Sequence, residues 1–236
     1  MTNQPGKKEA VRTMFDNIAG KYDFLNHFLS AGIDKLWRKK VVNLIVKEKP
    51  TTVLDVATGT ADLAIELSRK SKAAITGIDI SKGMLDIGHV KLKKMQLDKQ
   101  IMLQQADSEN IPFPDNHFDV AMVAFGVRNF ENLHQGLIEM QRVTRPGGLI
   151  VVLEFSKPRT FPVKQLYHFY FKNILPTLGK LISKDHSAYT YLPDSVGQFP
   201  DGMQFMNELE HAGFKKVTQQ RLTFGIASIY TGRKPQ

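Results

Sequence analysis

The chain contains no cysteine. Disulfides, thiolate metal sites and cysteine nucleophiles are therefore excluded. It also lacks any run approaching the roughly 18 uninterrupted apolar residues that a spanning helix needs. The opening stretch, Met1 to Ala10, is polar and lysine-bearing, without the apolar centre of a signal peptide, so a cytoplasmic protein is expected. No period of 20 to 50 residues recurs, no low-complexity tract interrupts the chain, and no metal-ligating cluster is visible. What is present is ordinary for one sizeable α/β domain of 236 residues: 42% hydrophobic and 23% charged. The formal net charge of +9 is compatible with an anionic partner, a membrane surface or a nucleic acid, or with a merely solvated basic face.

Hydrophobic rhythm divides the chain. Residues 1–50 read as a helical cover. Val11, Met14, Phe15 and Ile18 recur at i, i+3, i+4 and i+7, and a second apolar stripe runs from Leu36 to Val46. A tyrosine- and asparagine-bearing stretch from Tyr22 to Ser30 and an Ala31-Gly32 turn separate the two. Residues 51–157 alternate short β-branched runs with helical patterns. Strands are predicted at Thr52–Val56, Ala74–Ile78, Ile101–Gln105, Phe118–Ala124 and Leu149–Phe155, with helices at Asp62–Lys70, Gly83–Leu97 and Leu133–Val143. Such alternation means crossover connections and a parallel sheet covered on both faces. Residues 158–200 break the rhythm with Pro158, Pro162, Pro176, Pro193 and Pro200 and an aromatic cluster around Tyr167 and Phe169. Residues 201–236 return to a helix, Asp201–Ala212, then two strands close enough to form a hairpin, about Lys215–Arg221 and Phe224–Thr231. A parallel sheet ending in an antiparallel hairpin is the Rossmann-like arrangement of class I methyltransferases.

Three acids end three consecutive predicted strands. Asp55 precedes the small-residue turn Ala57-Thr58-Gly59-Thr60-Ala61, which brings backbone close to a ligand and offers peptide N–H groups. The G-x-G-x-x-G pattern of pyrophosphate sites is absent. An acid there suits a cationic ligand such as S-adenosylmethionine. Asp79 follows at about the 20-residue spacing of a ribose-binding carboxylate, although it or Ser81 could instead cap the next helix. Asp107, with Ser108 beside it, is placed to accept from an adenine amino group or to cap a turn. Capping explains any one of the three more readily than all of them together.

The chain carries the motifs Phe15-Asp16-Asn17-Ile18-Ala19 with Tyr22-Asp23 and Leu25-Asn26, Leu29-Ser30 through Trp37-Arg38, Pro112-Phe113-Pro114-Asp115, Phe125-Gly126-Val127-Arg128-Asn129 and Leu153-Glu154-Phe155-Ser156-Lys157-Pro158. Through them it resembles the menaquinone and ubiquinone biosynthesis C-methyltransferases. The resemblance implies methylation of a ring carbon on a polyprenylated hydroquinone, with S-adenosylmethionine as donor. Carried over by position, cofactor contacts fall on Thr60, Asp79, Asp107 and Ser108, beside Asp55 and Gly59 of the turn. Ala124 departs from members that carry a serine there. The Gly59-Thr60-Ala61-Asp62 form leans towards members that methylate demethylmenaquinone alone.

Carbon methylation needs an electron-rich ring carbon, alignment with the sulfonium methyl, and loss of a proton. Arg128 is too basic to act as a simple base. It is expected to stabilise a developing phenolate, directly or through an activated water, with Asn129 orienting it and Tyr22 reaching the same hydroxyl. Residues 158–200 are expected to cover an apolar substrate, with Tyr167, Phe169, Tyr170, Phe171, Ile174, Leu175, Leu178 and Leu181 lining a tunnel or resting on an anionic membrane surface, or else to form ordinary core. An RNA methyltransferase is the main competing enzyme. Ala124-Phe125-Gly126-Val127 lacks the Asn/Asp-Pro-Pro-aromatic motif of many base N-methylating enzymes, so no nucleic-acid partner is expected. A benzoquinol substrate, a non-catalytic cofactor-binding protein and a homodimer remain open at this stage.

Overall fold

The computed structural model describes residues 6–30, 32–170, 173 and 187–236. Two helices, α1 (Lys7–Leu29) and α2 (Ile33–Ile45), lead into β1 (Thr52–Val56), α3 (Asp62–Ser68), β2 (Ala74–Asp79), α4 (Lys82–Met95), β3 (Ile101–Gln105) and β4 (Phe118–Ala124). A short 3₁₀ turn, Val127–Asn129, and α5 (Leu133–Val143) connect β4 to β5 (Thr144–Phe155). Beyond β5 come α6 (Val163–Phe169), α7 (Ser187–Gln198), α8 (Met203–His211), β6 (Lys215–Leu222) and β7 (Ala227–Arg233).

Among the described residues seven strands form one sheet in the order β3-β2-β1-β4-β5-β7-β6. The first five are parallel. β7 runs antiparallel between β5 and β6, so the terminal hairpin completes the sheet. β1, β3, β4 and α5 have the bounds read from the sequence. Burial explains why: β1 and β4 are enclosed on both faces, and their unbroken apolar runs are the mark of interior parallel strands. The opening helix differs. α1 continues without a break through Tyr22 to Leu29, because no glycine or proline interrupts the backbone between Lys21 and Ser30.

One face of the sheet packs against α2, α3 and α4 through Trp37, Val41, Ile45, Leu67 and Leu92. The other packs against α5 and α8 through Leu137, Met140, Phe205 and Leu209, with Tyr230 of β7 wholly buried among them. α2 is also tied to the far end of the chain: the Trp37 indole N–H donates to Thr223 Oγ1 at 2.8 Å, and its ring meets Phe125 and Phe155. The chain builds β1, β2 and β3 outward and then returns to place β4 on the other side of β1. That reversal opens a crevice outside the carboxyl ends of the strands, where open α/β sheets bind their ligands.

Candidate active site

A cleft of about 680 Å³ occupies this crevice. Ala57 and Gly59 line it after β1, Asp79 and Ile80 after β2, Ala106 to Glu109 after β3, and Ala124 to Gly126 with Asn129 after β4. α1 closes it with Lys8, Val11 and Phe15.

The β1 turn bends sharply. Ala57, Gly59 and Ala61 all take positive φ, at 51°, 58° and 68°. Gly59 adopts this conformation without strain, whereas the two alanines hold it at a cost that the surrounding turn sustains. The loop after β4 passes so close that a Cβ on Gly126 would lie 2.6 Å from the Ala57 Cβ. Backbone therefore forms the floor of the cleft.

Asp79 faces this floor. Its Oδ2 accepts the Gly59 N–H at 2.8 Å, and its Oδ1 accepts the Ser81 N–H at 2.9 Å. Each oxygen keeps a second lone pair, so the carboxylate can still accept two ribose hydroxyls. The helix-capping role falls to Ser81 instead, whose hydroxyl accepts the Met84 N–H at 3.1 Å. Asp107 and Ser108 stand at the opposite end of the wall. Asp107 Oδ1 takes the Glu109 N–H at 2.9 Å, and Oδ2 takes the Lys8 ammonium at 2.7 Å.

Two expected contacts are not on the wall. Asp55 is 1% exposed and lies beneath the turn, accepting the Thr58 hydroxyl at 2.6 Å. It shapes the loop from below and does not face the ligand. Thr60 is also buried, and its hydroxyl accepts from Lys91 at 3.1 Å. Only Asp79 and Asp107 of the three acids converge on the cleft.

Burial pushes the Asp55 carboxyl up to about 7, the Thr58 and Arg38 contributions holding it down only in part. Burial also pushes Asp79 up to about 6, against the pull of its backbone N–H donors. Both acids thus hold protons in the folded chain that they lose when unfolded. Their contribution to stability is full below about pH 4 and is lost as pH rises through about 6 and about 7. A hydroxyl-donating, cationic ligand favours the ionised form of Asp79, the one of the two that lines the cleft, so its binding releases a proton. Affinity for S-adenosylmethionine should accordingly be about tenfold weaker at pH 5 than on its plateau above pH 7. Calorimetric titration at each pH checks this, and Asp79→Asn should flatten the lower part of the curve.

α1 straps the cleft from end to end. Lys7 Nζ donates to the carbonyls of Arg128 and Phe130. Lys8 bridges Asp107 and Glu109, the latter at 3.0 Å. Asp16 Oδ1 accepts the Ser81 hydroxyl at 2.7 Å and the Gly83 N–H at 2.8 Å. Tyr22 lies further along the same helix, and its side chain is outside the described residues.

After β4, Phe125 takes φ of 60° and turns the chain into Val127–Asn129. Asn129 reaches the cleft wall. The Arg128 guanidinium is not among the groups on that wall, which leaves it the indirect role of the two expected, behind the groups that face the cleft. Its side chain is buried behind Asn129, because Nη1 donates to Glu154 Oε1 at 2.7 Å and to the Phe125 carbonyl. The guanidinium lies over the Phe155 ring, 5.4 Å from its centre, and Nε is buried without a hydrogen-bond partner. Glu154 is fully enclosed at 0% exposure. Burial raises its pKa and Arg128 opposes the shift. Glu154 also accepts the Phe155 N–H at 2.9 Å. The Phe-Gly-Val-Arg-Asn and Leu-Glu-Phe-Ser-Lys-Pro motifs are thus joined by one buried ion pair.

Sequence reasoning missed Lys8, Glu154 and Tyr191, whose hydroxyl donates to Asn129 Oδ1 at 3.0 Å. Glu154 alone left a signal, a carboxylate inside the apolar run Val151 to Phe155 of a central strand.

The sheet order, the acid after β2 and the backbone-floored cleft define a class I methyltransferase, and the cleft wall fits S-adenosylmethionine as its donor. The chain is similar in fold to the [4+2]-cyclase SpnF, with a TM-score of 0.71 at 17% identity over 98% of this chain and 97% of the other. It is similar likewise to an S-adenosylmethionine-dependent methyltransferase of Thermotoga maritima, with a TM-score of 0.65 at 17% identity over 95% and 99%. The chain belongs to the ubiE/COQ5 methyltransferase family, whose sequence pattern matches residues 2–234. It is 47% identical to the demethylmenaquinone methyltransferase of Bacteroides fragilis over 99% of this chain and 96% of the relative. It is 48% identical to the ubiquinone/menaquinone biosynthesis C-methyltransferase UbiE of Geotalea daltonii over 97% of each.

Proposed function

We propose that the chain methylates a ring carbon of demethylmenaquinol, giving menaquinol. The observation that carries this reading is the coupling of the two quinone-family motifs at the cleft, Arg128 on Glu154 with Asn129 presented beside them. Near-full-length similarity to relatives named for that activity supports it.

When bound, S-adenosylmethionine supplies an electrophilic methyl group whose bond to sulfur breaks as a bond to the ring carbon forms. The protein's task is to make that carbon nucleophilic and hold it in line. Loss of the phenolic proton raises electron density on the ring. Asn129, on the cleft wall, can donate from Nδ2 to the oxygen as it becomes a phenolate. Arg128 acts from behind it. Its Nη1 holds the Phe125 carbonyl that also accepts Asn129 Nδ2 at 3.5 Å, and its positive charge, reduced by Glu154, biases the site towards an anion. After methyl transfer the ring proton leaves to water, which restores aromaticity, and the phenolate oxygen recovers from water the proton it had given up there, so the net release is a single proton.

An amide donor to a phenolic oxygen is indifferent to a fused second ring, and relatives named for both quinones make a benzoquinol the competing substrate. Incubation with labelled S-adenosylmethionine and a prenylated naphthoquinol, a prenylated benzoquinol or total RNA separates the readings. Label should enter the naphthoquinol at least tenfold faster than either alternative. Equal or greater labelling of the benzoquinol or RNA would overturn the assignment.

The polyprenyl tail needs an apolar route. Residues 158–170 expose Phe161 at 81% and Leu166 at 65%, interspersed with Lys157, Arg159 and Lys164. The β6–β7 turn adds Phe224 at 78%. Apolar side chains flanked by cations suit the surface of an anionic bilayer, on the cytoplasmic side. No helix among the described residues is long and apolar enough to cross a membrane. Of the predicted lining residues, Phe171, Ile174, Leu175, Leu178 and Leu181 lie outside the described residues. Flotation with anionic liposomes should carry the protein upward at low salt and release it at high salt. A protein that stays at the bottom of the gradient at low salt would remove the membrane from this picture.

A further inference from the structure

The helix α7 belongs to the stretch that covers the substrate, yet one of its side chains reaches a group on the cleft wall. Tyr191 donates its hydroxyl to Asn129 Oδ1 at 3.0 Å, across 62 residues of sequence. An amide can turn over, offering either an acceptor oxygen or a donor nitrogen to whatever lies before it. With one lone pair of Oδ1 taken by Tyr191 and one Nδ2 hydrogen directed at the Phe125 carbonyl at 3.5 Å, the second Nδ2 hydrogen is left as a donor for the cleft. A donor stabilises a phenolate, whereas an acceptor would stabilise the neutral phenol.

We propose that Tyr191 is a positioning residue for methyl transfer, holding the Asn129 amide in the orientation that favours the ionised quinol. This deepens the proposed function and rests on its reading of a phenol as the reacting group. Burial, with a smaller push from Glu154, raises the pKa of Tyr191 above that of free tyrosine against the opposing effect of Arg128. The hydroxyl therefore stays protonated, and able to donate, throughout the neutral range.

The test is Tyr191→Phe in the full-length chain, which removes one oxygen and leaves the ring. With a short-chain prenylated naphthoquinol, kcat should fall about tenfold at pH 7 while the quinol KM and the affinity for S-adenosylhomocysteine change less than twofold. The acid limb of the kcat profile should move to higher pH, because the phenol loses a group that favours its ionised form. Asn129→Ala should produce the same shift, and the double variant should be no worse than Asn129→Ala alone. Multiplying effects, or an unmoved acid limb, would overturn the proposal. A second readout is independent of substrate: the side-chain amide resonances of Asn129 in an NMR spectrum should change in Tyr191→Phe, and unchanged resonances would overturn the contact itself. A wild-type enzyme that ignores naphthoquinol while those resonances respond would instead sink the substrate reading and leave the contact standing.

Discussion

Arg128→Ala should lower folding stability by about 3–5 kcal/mol and reduce turnover about a hundredfold. The stability loss comes from the partner left behind. Glu154 is enclosed in a central strand, and Arg128 supplies both its counter-charge and a 2.7 Å hydrogen bond. Without the guanidinium an uncompensated carboxylate would sit in apolar surroundings, and it would answer by holding its proton to still higher pH. An acid whose folded pKa is raised contributes stability that is full below its unfolded pKa and is lost as pH rises through the folded value. The deficit of the variant should therefore be smallest in acid and grow towards pH 8. Chemical denaturation at several pH values measures this. A uniform deficit would mean that Glu154 does not carry the effect.

Because one substitution disturbs both fold and chemistry, the informative comparison is a pair. Arg128→Met with Glu154→Gln removes both charges and keeps comparable volume. Replacing a buried ion pair by neutral groups is often neutral or stabilising. The double variant should recover stability to within about 1 kcal/mol of the parent and remain about a hundredfold slow. Recovery of turnover along with stability would show that the pair serves only the fold. Affinity for S-adenosylhomocysteine should be untouched in either case, since neither side chain lies on the cleft wall.

The difference between what the sequence showed and what it hid follows from how far each signal travels. β1, β4 and α5 were legible because their burial is expressed locally, as an apolar run or a helical stripe. The tyrosine and asparagine that set Tyr22 to Ser30 apart in the sequence do not stop a helix, since each costs it well under 1 kcal/mol where a proline costs about 3 kcal/mol. Asp55 and Asp79 look equivalent in one dimension, each an acid near the end of a strand before a helix. They diverge because Asp55 lies one residue inside β1, which Val56 ends, whereas Asp79 is the last residue of β2. Asp55 turns under its own loop onto Thr58, whereas Asp79 ends β2 and meets the Gly59 N–H across the cleft floor. Lys8 and Tyr191 act over separations of 99 and 62 residues, on helices whose local pattern carries no trace of their partners.

Asp79 should be the most costly single position for cofactor binding. Asp79→Ala removes a charged acceptor from two ribose hydroxyls, and hydrogen bonds to a charged group are each worth about 1.5–3 kcal/mol. The expected weakening of S-adenosylmethionine binding is at least a hundredfold, read by calorimetry at pH 7.5. The asparagine variant should be nearly as poor. Both carboxylate oxygens already accept backbone N–H groups, from Gly59 and from Ser81. An amide in this place must set its own NH₂ against one of those donors, so one hydrogen bond is lost and two donors face each other. Asp107 offers the contrast. Only one of its oxygens takes a backbone N–H, while the other faces the flexible Lys8 ammonium, which can move aside from an amide. Asp107→Asn should weaken binding less than tenfold. If the two asparagine variants proved equally damaging, the backbone anchoring of Asp79 would not be what fixes the ribose end of the site.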